Sequence, residues 1–159
     1  MRKAGQLKQW AVLACMMAII CLGIPAEGKA AGMMEEAKKA GEQWMTVIDA
    51  GKYKESWDQA AGIFQNKVSQ EEWESTARST LEPLGPVVSR ELRVIVYTPH
   101  GVPNNPPGEY MVIRFNTTFK NKTDTAVETL TLVKEPKAGW RTAGYFVQTE
   151  DVGKRRPHP

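Results

Sequence analysis

The apolar residues of this chain change their spacing at one point, and that change limits the fold to a helical layer followed by a sheet. Upstream of Pro83-Leu84-Gly85-Pro86 they recur every three or four residues, as on one stripe of an α-helix. Downstream they recur every second residue, as in half-buried strands. Ala37, Ala40, Trp44, Val47 and Ile48 predict a first helix from about Met33, closed by Gly51. A residue just past a helix end is commonly left-handed, and glycine adopts that backbone freely. Tyr53, Trp57, Ala60 or Ala61, and Phe64 predict a second, short helix. A third starts at Ser69, where Glu72 completes a capping box, and buries Trp73, Ala77, Leu81 and Leu84. Pro83, Gly85 and Pro86 end it.

Four strands follow. In the first, Val88, Leu92, Val94 and Val96 alternate with Ser89, Glu91, Arg93 and Ile95. The second, 109–120, sets Met111, Ile113, Phe115, Thr117 and Phe119 on one face. The third, 126–134, places Glu128 with Leu130 and Leu132. The last, 140–148, contains Gly144, the mark of a bulge or a close backbone approach. The expected class is α+β: three N-terminal helices packed on a curved four-stranded antiparallel meander. A loop with four prolines, 98–108, joins the first two strands. Loops of that length in compact domains are often functional.

The first residues read as an address. Residues 1–9 carry Arg2, Lys3 and Lys8 and no acid, and an uncharged apolar run of 15 residues extends from Trp10 to Ile24. Pro25 and the small residues around Gly28 and Ala30 follow. A bilayer span needs about 20 residues. The pattern therefore predicts a signal peptide over 1–30, cleaved after Ala30 or, alternatively, after Gly28. The protein is expected to be periplasmic or secreted, with no stable membrane span after signal cleavage. Residues 31–148 form a single α+β domain, and residues 149–159 a solvated, disordered basic tail carrying Lys154, Arg155 and Arg156.

Several chemistries are missing from this pattern. Both cysteines, Cys15 and Cys21, lie in the apolar run, so the exported part carries no thiol for a disulfide, a nucleophile or a metal. Cleavage removes four of the 21 basic residues (Arg2, Lys3, Lys8, Lys29) and one of the 18 acidic ones (Glu27), leaving 17 of each. A balanced charge argues against nucleic acid as a partner. The two histidines, His100 and His158, fall in the proline loop and the tail, where nothing holds a catalytic base rigid. No phosphate loop, zinc-protease helix or nucleophile elbow is present. Hence no catalytic residue, metal ligand or cofactor is assigned.

Asp49-Ala50-Gly51 with Tyr53 and Ser56-Trp57, Phe64, Val68-Ser69 with Trp73, and Pro83-Leu84-Gly85-Pro86-Val87-Val88-Ser89-Arg90 form one set of motifs. Phe115-Asn116-Thr117-Thr118-Phe119, Glu128 and Trp140-Arg141 with Gly144-Tyr145-Phe146 complete it. Over roughly residues 35–147 the chain resembles a bacterial family named domain of unknown function 4019. The resemblance implies a shape and a compartment, and no reaction. The layout is similar to small cone-shaped folds in which a curved sheet wraps a long helix, some of which enclose a ligand pocket.

Arg90 and Glu128 are the polar residues of most interest. Arg90 is expected on the face of Val88 and Leu92, and Glu128 on that of Leu130 and Leu132. Buried charges must be paired. They form either a structural ion pair, with Arg141 as a further partner, or the polar floor of a ligand pocket. Arg90, Glu128, Arg141 and Tyr145 are the candidate ligand-binding residues. Trp44, Trp57, Trp73 and Trp140 lie at periodic positions and are expected in the core. Three functions compete. The first is an exported non-enzymatic domain binding a small molecule or an envelope protein. The second is a pocket-based hydrolase or isomerase using Arg90, Glu128, Tyr145 and Asp58. The third is a structural envelope-assembly protein that docks by a strand edge or the proline loop.

Overall fold

A computed structural model of the protein describes residues 26–149. The expected leader, up to residue 25, and the tail, from residue 150, lie outside the described residues. The chain forms α1 (Ala26–Asp49), α2 (Tyr53–Asp58), α3 (Gly62–Gln65), α4 (Gln70–Leu81) and a 3₁₀ turn (Glu82–Leu84). Then come β1 (Val87–Thr98), β2 (Tyr110–Phe119), β3 (Ala126–Glu135) and β4 (Gly139–Thr149). The strands pair in sequence order, each antiparallel to the next, with β1 and β4 as open edges. The fold is α+β: helices, then a meander.

The long helix α1 crosses the sheet and touches all four strands. Its inward stripe is Ala37, Gly41, Trp44, Met45 and Ile48, rotated slightly from the expected one, with Val47 only half-buried. Gly41 sets the approach. A Cβ there would lie 2.7 Å from Leu130 Cδ2, so a larger residue would make that leucine shift. At the helix end, Gly51 has φ +70°, its N–H donates to Ile48 O at 2.9 Å, and Lys52 N–H donates to Val47 O at 3.1 Å. This is the left-handed glycine cap with the two reversed bonds that satisfy the last carbonyls.

The expected second helix is two short ones. Ala61 is extended (ψ 149°), and its N–H donates to the Thr142 carbonyl of β4 at 2.8 Å. A tertiary bond to the sheet thus replaces the bond that would have continued the helix. α4 starts as expected, with both arms of the Ser69–Glu72 capping box formed. A buried polar knot ties three helices together: Trp44 Nε1 donates to Ser56 O (2.8 Å) and Trp73 Nε1 to Ser56 Oγ (2.9 Å). Ser56 Oγ in turn donates to Tyr53 O (2.7 Å).

β1 corrects a second expectation. Val88, Val94 and Val96 do not face the core; they are exposed, Val88 by 67%. The register against β2 shifts between Val87 and Ser89 and again between Leu92 and Val94. Each bulge inserts one residue and exchanges the faces. The residues opposite Phe119, Thr117, Phe115, Ile113 and Met111 become Val87, Arg90, Leu92, Ile95 and Tyr97; Val87, Ile95 and Tyr97 pack on the core, while Leu92 stays exposed. Arg90 therefore shares its face with Leu92 and not with Val88. A third shift opposite Thr131 and Leu132 places a bulge beside Gly144 in β4. The proline loop is pinned: Lys67 Nζ donates to Asn104 O and Asn105 Oδ1, Tyr110 Oη to Pro106 O, and Val102 packs on Ala61, Tyr110, Val133 and Ala143.

Candidate functional site

Three of the four candidate residues meet at one point. Glu128 lies on the inner face of β3 and is fully buried. Its Oε2 accepts from Arg90 Nε at 2.7 Å and from the Thr117 hydroxyl of β2. Its Oε1 accepts from Arg90 Nη2 at 3.1 Å and from the Tyr145 hydroxyl of β4. The other side of the guanidinium grips Asp49 at the end of α1, Nη1 to Oδ2 at 2.7 Å and Nη2 to Oδ1 at 2.9 Å. One arginine from an edge strand thus locks the long helix to the middle of the sheet. Trp44 covers the cluster, its ring edge-on to Tyr145 with centroids 5.5 Å apart.

Burial works against the Arg90 charge, but the hydrogen bonds and charges of Asp49 and Glu128 outweigh it, and the guanidinium is held even more firmly protonated than usual. Burial, reinforced by the Glu128 charge, pushes the Tyr145 phenol well above its ordinary value of 10.0. The folded protein therefore keeps a proton that the unfolded chain loses above about pH 10. Stability is complete below that pH and falls as pH rises toward the folded value, by about 1.4 kcal/mol per pH unit from Tyr145. Urea unfolding at rising alkaline pH checks this, and Tyr145→Phe should remove that share of the slope.

Arg141 is not part of this cluster. It lies opposite Val133 on β4, and its Nη1 donates to Gln59 O at 2.9 Å. Asp58 is exposed at the end of α2 and pairs with Lys54 at 3.6 Å. His100 is exposed in the proline loop. Two residues of the cluster escaped the sequence-based candidates. Asp49 had a signal, because an acid in the last turn of a helix opposes the helix dipole and wants another partner. Thr117 was the one hydroxyl in the apolar row of β2.

Two open hollows flank the core. One, of about 220 Å³, is lined by Asp49, Tyr53, Glu82, Phe119 and Tyr145 among others, and so reaches the outer side of the ion cluster. The other, of about 310 Å³, lies between α1 and β4, where Gln43, Trp44, Gln59, Trp140, Arg141 and Thr142 line it. Trp140 Nε1 and Thr142 Oγ1 are fully buried, with no hydrogen-bond partner among the described residues. Among the described residues no group of three or more His, Cys, Asp or Glu could hold a metal ion, and no helix is long and apolar enough to cross a membrane.

A family model described as "Protein of unknown function (DUF4019)" matches residues 40–145, which hold the whole of both sites. No curated protein and no solved structure matches the chain.

Proposed function

Because the chain belongs to the DUF4019 family of proteins of unknown function, membership brings no activity with it, and we propose that it is an exported, non-enzymatic domain that binds a small molecule. One contrast supports this reading. The reactive-looking groups use each other up: both oxygens of Glu128 accept two hydrogen bonds, and Arg90 spends four of its N–H groups on two carboxylates. A carboxylate so surrounded has no lone pair poised for a substrate proton, which speaks against a hydrolase or isomerase built on Arg90, Glu128 and Tyr145. The hollow between α1 and β4 has the opposite character: Gln43, Gln59 and Arg141 line it, and among the described residues no acid does.

Export and binding are tested on the same preparation. The full chain is expressed in a bacterial host, recovered from the envelope or medium, and its first residues are sequenced. The expected start is Ala31, or Lys29 on the alternative cleavage. Removal of residues 26–30 shortens α1 but leaves its inward stripe, which begins at Ala37, intact. A recovered chain that still begins at Met1 sinks the cleavage, and a chain found only in the cytoplasmic fraction sinks the export reading. Native mass spectrometry is expected to show an added small-molecule mass that disappears on unfolding.

The β1 edge favours a second reading, assembly with an envelope protein. It is open along 12 residues, and Val88, Leu92, Val94 and Val96 are all exposed on it. A strand added there would be expected to protect the β1 amides from hydrogen exchange in envelope extracts.

A further inference from the structure

We propose that the hollow on the outer side of the ion cluster binds a small primary amine in its ammonium form, held by Asp49, Glu82 and the Tyr53 hydroxyl. This is a second site, apart from the hollow between α1 and β4, and it stands or falls without the reading above.

Two helices deliver the acids. Asp49 is the last residue of α1, and Glu82 directly follows α4. The negative ends of both helix dipoles therefore meet at the hollow, where a cation is favoured. Asp49 and Glu82 are its charged lining residues, and among the described residues no Lys, Arg or His lines it. Both carboxylates are within a ligand's reach: the Asp49 side chain is 33% exposed and that of Glu82 55%. Each can still accept. Arg90 takes one lone pair of each Asp49 oxygen, and a carboxylate offers about four. Arg78 donates to Glu82 Oε1 at 2.7 Å and leaves Oε2 without a hydrogen bond among the described residues. That pair is exposed on both sides, so it competes only weakly with a ligand. Across the cluster the carboxylates of Asp49, Glu82 and Glu128 meet only the guanidinium groups of Arg78 and Arg90, and one negative charge is left over.

A third acceptor is built in. Tyr53 is 6% exposed, and its hydroxyl stays open to the surroundings with no hydrogen-bond partner among the described residues. Burial pushes the Tyr53 phenol up, and the Glu82 charge adds to the shift, as two groups facing one space would. An ammonium group donates three hydrogen bonds, one each for Asp49, Glu82 Oε2 and the Tyr53 hydroxyl. Leu81, Val87 and Phe119 line the hollow with apolar surface for the carbon body of the amine. A volume of about 220 Å³ keeps that body small, since sites for drug-sized ligands begin at about 300 Å³. The wall is fixed by the fold: Gly85 N–H donates to Glu82 O at 3.1 Å and Asn121 N–H to Leu84 O at 2.9 Å, which ties the end of α4 to the turn after β2.

The test follows the backbone amide signals of Gly51 and Gly85, which line the hollow, in the full chain. Butylammonium chloride is titrated to about 10 mM at neutral pH, against 1-butanol, tetramethylammonium chloride and sodium chloride. The expected result is a saturable shift with butylammonium. It should be at least about tenfold weaker with butanol, which lacks the charge, and with tetramethylammonium, which lacks the N–H donors. Glu82→Gln should weaken binding roughly threefold or more. Tyr53→Phe should weaken it with the melting temperature unchanged or raised, since that hydroxyl has no partner in the folded chain to lose. Arg78→Gln should tighten it by removing the competing cation, a gain that structural damage would not produce. No saturable shift with butylammonium, an equal response to butanol or sodium chloride, or unchanged affinity in both Glu82→Gln and Tyr53→Phe overturns the proposal and leaves the reading of the other hollow standing.

Discussion

Arg90→Leu is expected to destabilise the protein by about 3–5 kcal/mol, read as a lower urea midpoint at unchanged slope. The reason is what it leaves behind. Glu128 is fully buried, and without the guanidinium only the Thr117 and Tyr145 hydroxyls face its charge. Asp49 loses both of its hydrogen bonds to Arg90, and α1 loses its charged tie to the sheet. A buried pair is weak evidence of net stabilisation, but half of one is strongly destabilising. The double variant Arg90→Leu with Glu128→Leu should therefore recover part of the loss, since no unpaired charge remains buried. If Arg90→Leu unfolds within about 1 kcal/mol of the wild type, the cluster is not what joins helix to sheet.

The second large effect is expected at Trp73. Trp73→Ala should cost about 3–5 kcal/mol, because the indole is nearly buried and fills the space between the helices and the sheet. It packs edge-on against Phe64 at 5.0 Å, leans on Trp44 at 6.0 Å and meets Tyr145 at 6.5 Å. Its N–H also satisfies Ser56 Oγ. Trp73→Phe separates the two contributions. It keeps an aromatic ring and removes the hydrogen bond, and should cost only about 1–2 kcal/mol. Because Tyr145 touches both Trp73 and Glu128, the losses from Trp73→Ala and Arg90→Leu should not add. Additive losses would mean that the aromatic layer and the ion cluster are independent.

Much of this architecture is local and could be read from residue spacing. The Ser69–Glu72 box, the Gly51 stop, the β2 row from Met111 to Phe119 and the turn after it involve neighbours in sequence, and each formed where the pattern put it. Glu128 on an apolar face already announced a buried charge. Its arginine partner was legible too, although the wrong face of Val88 was assigned to it. The grouping of Arg141 with these two was not sustained, because its guanidinium turns to Gln59 at the β4 edge.

What spacing could not convey was anything that depends on two distant segments meeting. Strict alternation cannot show a bulge, since an inserted residue changes no composition and only reverses which face the next residues take; that decided β1. The break of the second helix at Ala61 exists because a carbonyl of β4 waits 81 residues away to accept its N–H, and Asp49 joined the cluster because α1 ends above Arg90. The orphaned donors of Trp140 and Thr142 are the extreme case: being without a partner is a property of the whole surroundings of an atom, and no single residue carries it. The sequence by itself determined the α+β class, the order of elements and the presence of inward charge, because these follow from short-range periodicity and solvation. Only the tertiary structure decided which charges satisfy one another and which buried polar atoms are left without a partner, because that depends on register and packing between segments far apart in the chain.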